Sequence, residues 1–197
     1  MIILIGGSSH VGKTLIAQKI LERTHFPYVS LDHLKMGFIR TGRTDLTTED
    51  DDKMRTFLWP FAAEMIKTAI ENDQNMIVEG CYIPGNWKAS FTPEYLSKIY
   101  CTFITMDEEY LRANFDKVVG KASVIEKRLE DDPDLELFIN CNREFKQDCE
   151  KYDIPNLEIT AGTTYDADAF ADRIMTEAGL LSDGPISGTC ESDMEWL

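Results

Sequence analysis

Residues 2–21 read IILIGGSSHVGKTLIAQKIL: an apolar run, a turn rich in glycine and serine, and a lysine-threonine pair that opens a second apolar segment. The run Ile2 to Ile5 is short, β-branched and closed by Gly6-Gly7, which marks a buried strand. From Lys13 onward, Leu15, Ile16, Ile20 and Leu21 recur at helical spacing. Between them, Gly7-Ser8-Ser9-His10-Val11-Gly12-Lys13-Thr14 matches G-x-x-x-x-G-K-[ST] at every fixed position. Glycine lets the backbone wrap closely, so that successive N–H groups and the helix N-terminus face a polyphosphate. On this reading Gly7, Ser8, Ser9, His10, Val11, Gly12, Lys13, Thr14 and Leu15 form a nucleotide cradle. Lys13 reaches the β- and γ-phosphates, and the Thr14 hydroxyl ligates Mg²⁺. A chance match in a chain of this size is on the order of one in a hundred, and the strand and helix flanks lower it further. His10 fills a variable loop position, and with His25 and His33 it makes no metal-ligand spacing.

Outward from this segment the pattern repeats. PYVSLD (27–32), NMIVEG (75–80), IYCTFITM (99–106) and NLEIT (156–160) read as four further strands. Helical sequence separates them: 13–23, a stretch carrying Met54, Phe57, Leu58, Phe61, Met65 and Ile70, then 107–115, a segment around SVIEKRLE (123–130), 135–152 and 165–179. Pro60 is expected to kink or divide the second of these. Thr47 or Thr48, each followed three residues later by an acid, predicts a capping box at its start. Strands alternating with helices imply an α/β fold with a parallel sheet covered on both faces. Ligands in such sheets sit at the carboxyl ends of the strands.

Composition narrows the partners. A chain of 197 residues makes one domain with a sizeable core. Lys and Arg total 20 against 35 Asp and Glu, a net charge of −15, which argues against a general nucleic-acid surface because phosphate neutralisation needs clustered cations. The cysteines at 81, 101, 141, 149 and 190 are odd in number and lack a CxxC spacing, so they read as reduced thiols. The opening MIILIGG is too short for a membrane span and lacks the basic flank of a signal peptide. The expectation is a cytoplasmic protein with no membrane association and no obligate protein partner.

The residues that follow the strands carry the remaining chemistry. Asp32 is expected to project from the carboxyl edge of the second strand, where a carboxylate can take the proton of an attacking hydroxyl; otherwise it caps the helix at 34–38. Lys35 is a candidate acceptor contact. Glu79, after a wholly apolar run, needs a partner to be buried and is a candidate Mg²⁺ or acceptor ligand. Gly80 permits close approach, and Tyr82, Pro84 and Trp87 are candidates to wall the acceptor pocket. Arg40 and Arg43 suit a bidentate clamp on an anionic substrate. Arg128 is the candidate lid arginine, with Arg112, Lys127 and Arg143 as alternatives.

The order of these features resembles the small P-loop kinases: adenylate and other nucleoside monophosphate kinases, shikimate and gluconate kinases, and polynucleotide-kinase or zeta-toxin relatives. The resemblance covers roughly residues 1 to 178. It implies a three-layer, five-stranded parallel sheet of P-loop nucleoside triphosphate hydrolase type. A kinase domain would span 1–180, with a helical acceptor-binding insert at about 33–73, a lid at about 112–134 and a flexible acidic tail at 181–197. ATP and Mg²⁺ are the implied cofactors. SLDHLK (30–35) is similar to the element of hydroxyl-phosphorylating members in which aspartate is the base, which carries that role to Asp32 and a substrate contact to Lys35. Pro84 is followed by Gly85 where adenylate kinases place an arginine. The implied activity is transfer of the γ-phosphate to a hydroxyl of a small anionic metabolite. Nucleoside monophosphate kinase activity, with Arg40 or Arg43 as the phosphate clamp, and a nucleotide-binding regulatory role are the alternatives.

Overall fold

A computed structural model describes residues 1–120, 134–163 and 165–181. The five apolar runs all form strands: β1 (Ile2–Gly7), β2 (Tyr28–Ser30), β3 (Met76–Glu79), β4 (Ile99–Met106) and β5 (Asn156–Ile159). They pair in parallel in the order β2-β3-β1-β4-β5. Helices cover both faces: α1 (Lys13–Thr24), α2 (Leu31–Arg40), α3 (Asp51–Glu71), the short α4 (Pro93–Leu96), α5 (Glu108–Gly120), α6 (Leu135–Tyr152) and α7 (Ala167–Glu177). The result is the three-layer α/β architecture that the alternation implies.

β1 is buried over its whole length because it lies between two strands and two helical layers. Its residues divide by parity. Ile2 and Leu4 face the layer of α2, α3 and Phe145, with Val78, Cys101 and Phe103. Ile3 and Ile5 face the layer of α1 and α7, with Ile16, Ile20 and Ile174. Each aliphatic side chain so buried contributes about 1.5–3 kcal/mol. Among the described residues no helix is long and apolar enough to cross a membrane.

Helix ends follow local chemistry. Asp134 and Asp166 cap α6 and α7, each side chain accepting two backbone N–H groups of the first turn. α1 stops at His25, whose backbone is left-handed (φ 59°) and whose N–H bonds the Leu21 carbonyl.

Several expectations are corrected. β2 ends at Ser30 and α2 begins at Leu31, so Asp32 lies in the first turn of a helix; it neither ends a strand nor caps a helix at 34–38. Gly80 leaves room for this packing, since a Cβ there would come 2.9 Å from Leu31 Cβ. The capping box forms one turn early: Thr47 donates its N–H and hydroxyl to Asp50 Oδ2, both at 3.0 Å, whereas Asp50, the cap residue of α3, makes no side-chain cap bond. α3 passes through Pro60 without being divided. The expected helix around 123–130 and the tail residues 182–197 lie outside the described residues.

Candidate active site

The cradle is built by close packing as much as by sequence. Gly7 turns the chain out of β1 at φ 122°, and a Cβ there would lie 2.1 Å from the Ile104 carbonyl oxygen. Gly12 (φ 88°) precedes α1 beneath Tyr165, whose hydroxyl would be 2.0 Å from a Cβ. No side chain caps α1, so the backbone donors of its first turn face the loop. His10 is left-handed (φ 65°) and its ring lies 4.9 Å from that of Phe138 on α6. Val11 is fully buried in the core shared with α1, and Leu15 packs at its edge.

Asn142 of α6 locks this loop in place. Its Nδ2 donates to Ser8 Oγ at 3.1 Å and to the Phe138 carbonyl at 2.8 Å, and its Oδ1 accepts the Met106 N–H at 2.8 Å. One buried amide thus joins the cradle, the end of β4 and α6. Lys13 turns inward and donates to the Ser8 carbonyl at 2.6 Å.

Thr14 and Glu79 meet where the cradle adjoins β3. The Thr14 hydroxyl donates to Glu79 Oε1 at 3.2 Å, and Glu79 is 1% exposed. A hydroxyl and a buried carboxylate beside a phosphate cradle form a hard-oxygen donor set, which suits Mg²⁺. The residues present therefore fit the metal and the nucleoside triphosphate that the motif implies. Among the described residues no cluster of three or more His, Cys, Asp or Glu side chains offers a different metal site.

The second half of the site comes from α2, α3 and the segment after β3. Lys35 Nζ lies 3.4 Å from Asp32 Oδ1 and donates to the Tyr82 hydroxyl at 2.6 Å. Tyr82 donates in turn to Asp51 Oδ1 at 2.8 Å. The tyrosine is 1% exposed. Burial first, and then the neighbouring Cys81 thiol and the Asp32 and Asp51 carboxylates, hold its phenol well above the ordinary range. Arg55 donates its Nε–H to the Cys81 carbonyl at 3.3 Å and stands over the Phe145 ring, 5.3 Å from its centroid.

Cys81 shows how the two halves converge. Burial pushes its thiol up to about 11; Asp32 and Asp51 act in the same direction, and Lys13 and Lys35 act against them. Charges carried by α1, α2 and α3 are therefore all within electrostatic reach of one side chain.

Not every expected residue joins this group. Arg40 is exposed at the far end of α2, about 12 Å along the helix from Asp32 at the usual rise per residue. Arg43 is exposed in the following loop, and neither makes an ion pair among the described residues. Arg112 and Arg143 are tied into a surface network with Glu108, and Arg112 also pairs with Glu136. Arg128 and Lys127 lie outside the described residues. Sequence reasoning missed Asn142, Asp51 and Arg55. The acidic run Glu49 to Asp52 followed by Arg55 was the available signal for the last two. Nothing local distinguishes Asn142.

No protein-family model matches the sequence, and no curated protein matches it. Solved structures do. The tunicamycin resistance protein of Deinococcus radiodurans superposes with a TM-score of 0.58 at 16% identity, over 93% of this chain and 98% of that one. Deoxyadenosine kinase from M. mycoides gives 0.54 at 16% identity, over 92% and 100%. Shikimate kinase from Aquifex aeolicus gives 0.52 at 15%, over 91% and 96%. With the sheet order, the cradle and these likenesses together, the fold of this chain is that of the small P-loop kinases.

Proposed function

We propose that the protein is a kinase that transfers the γ-phosphoryl group of ATP to a hydroxyl of a small molecule. The observation that supports this reading is the cradle between β1 and α1, where Thr14 meets the buried Glu79 at 3.2 Å, with Asp32 in the first turn of the helix that follows β2, the strand paired with β3. The likeness to solved kinases supports it at the level of fold.

The N–H groups of the cradle and Lys13 would hold the triphosphate, and Thr14 and Glu79 would hold Mg²⁺. The metal, when bound, neutralises charge on the phosphate oxygens. Asp32 accepts the proton of the acceptor hydroxyl as the new O–P bond forms; the bond between the γ-phosphorus and the bridging oxygen breaks, and ADP leaves. Lys35 orients Asp32 and, through Tyr82 and Asp51, ties α2 to α3. Arg55 fixes the Cys81 backbone that walls the acceptor side.

Asp32→Asn tests the assignment. Turnover should fall about 10²–10⁴-fold with ATP affinity unchanged. Phosphotransfer at the wild-type rate would remove the base from Asp32 and point to an acceptor that is already ionised, such as a nucleoside monophosphate.

A further inference from the structure

We infer that the acceptor is an uncharged hydroxyl compound of the sugar or nucleoside class, rather than a sugar acid or a nucleotide. This rests on the phosphotransfer reading above and departs from the anionic metabolite that Arg40 and Arg43 suggested.

Lys13 is assigned to the triphosphate, and the two cations of the acceptor half, Lys35 and Arg55, already have partners. Lys35, with its side chain 12% exposed, is shared between Asp32 at 3.4 Å and the Tyr82 hydroxyl at 2.6 Å. That hydroxyl is in turn bound to Asp51 at 2.8 Å, so the ammonium is tied to one carboxylate directly and to a second through the phenol. Arg55 directs Nε at the Cys81 carbonyl at 3.3 Å, lies 3.6 Å from Asp52 and packs on Phe145. An acceptor carboxylate or phosphate entering here needs a guanidinium or ammonium free to meet it, because a desolvated anion without such a partner is costly. Arg40 and Arg43 are exposed and lie toward the far end of α2 and beyond it.

A neutral polyol needs no unpaired cation and matches the donors and acceptors of the same groups. Asp32 and Asp51 accept its hydroxyl protons, and Lys35 donates to its oxygens. The Tyr82 phenol is held well above its ordinary range, first by burial and then by its neighbours, among them the Asp32 and Asp51 carboxylates, in agreement with a site that disfavours an additional negative charge.

The test uses the full chain with Mg²⁺ and γ-labelled ATP on matched pairs: adenosine and AMP, uridine and UMP, glucose and gluconate. At least one neutral member should accept label, with kcat/KM at least about tenfold above its charged partner, as expected for one or more unit charges opposed by a nearby carboxylate. A charged member phosphorylated as well as or better than its neutral partner overturns the inference.

A second measurement is independent of finding the acceptor. Cys81, partly accessible beside these carboxylates, is alkylated with iodoacetamide or iodoacetate and quantified by peptide mass mapping. The ratio of the two rates cancels the thiolate fraction. A ratio several-fold above that of N-acetylcysteine amide in the same buffer supports a pocket hostile to anions, and an equal or lower ratio overturns it. A raised ratio with no label transferred to any compound counts against the kinase reading and leaves the charge assignment standing.

Discussion

Thr14 and Glu79, 65 residues apart, share a hydrogen bond of 3.2 Å between the first turn of α1 and the last residue of β3. The register that makes this possible is set by β1, where Ile5 pairs with Glu79 and the chain then turns through the cradle into α1. Glu79→Gln keeps the shape and the bond from Thr14 but removes the charge. Mn²⁺ affinity in the presence of ADP, read by electron paramagnetic resonance, should fall at least about tenfold, and turnover should fall with it. Unchanged metal affinity would leave Glu79 with a structural role only.

Asn142 offers a test of how far the loop depends on its support. Asn142→Leu strips a donor from Ser8 and an acceptor from the buried Met106 N–H. Stability in urea should drop by about 1–3 kcal/mol for the unsatisfied groups. ADP affinity should weaken as well, with turnover at saturating ATP less affected. A variant that loses stability but binds ADP as before would show that the cradle holds its shape unaided.

Asp50 gives a pH dependence with a defined sign. Hydrogen bonds from Lys53 first, and then from Thr47, lower its carboxyl from the ordinary 3.8 to about 2. A depressed carboxylate contributes stability that is fully present above the unfolded value and is lost as pH falls through the folded one. Asp50→Asn should therefore be less stable than the parent at pH 7, with the gap closing between about pH 4 and pH 2. Urea midpoints measured across this range check it; a gap that does not change with pH refutes the assignment.

Pro60 lies exposed in the interior of α3, where it withholds an N–H from the Thr56 carbonyl. Proline costs about 3 kcal/mol relative to alanine in a helix interior, offset by about 1 kcal/mol through its smaller unfolded-state entropy. Pro60→Ala should raise the urea midpoint by an amount equivalent to about 2 kcal/mol, with the denaturant slope unchanged.

The strands and the cradle were legible because their signals are local: β-branched runs bounded by glycine, and a fixed-spacing motif flanked by the right elements. Asp32 was placed on the right edge of the sheet but in the wrong element. YVSLD continues the apolar alternation, whereas β2 ends at Ser30 and Leu31 packs against Gly80, nearly fifty residues away, a contact no local pattern announces. Arg40 and Arg43 looked like a clamp because they are close in sequence to Asp32, yet helix geometry carries Arg40 away from it. Asp51, Arg55 and Asn142 act through contacts 26 to 134 residues distant, and no periodicity encodes these.

The strand order has a consequence for amide exchange. β1 is hydrogen-bonded to β3 on one side and β4 on the other, so its amides open only with the whole sheet. β2 is three residues long and paired on one side, so it frays from the rim. The cradle is therefore suspended from the segment that takes up deuterium last, and Asp32 follows directly on one that takes it up early. The lysine proposed to hold phosphate and the proposed base thus follow strands that differ most in how readily their amides exchange.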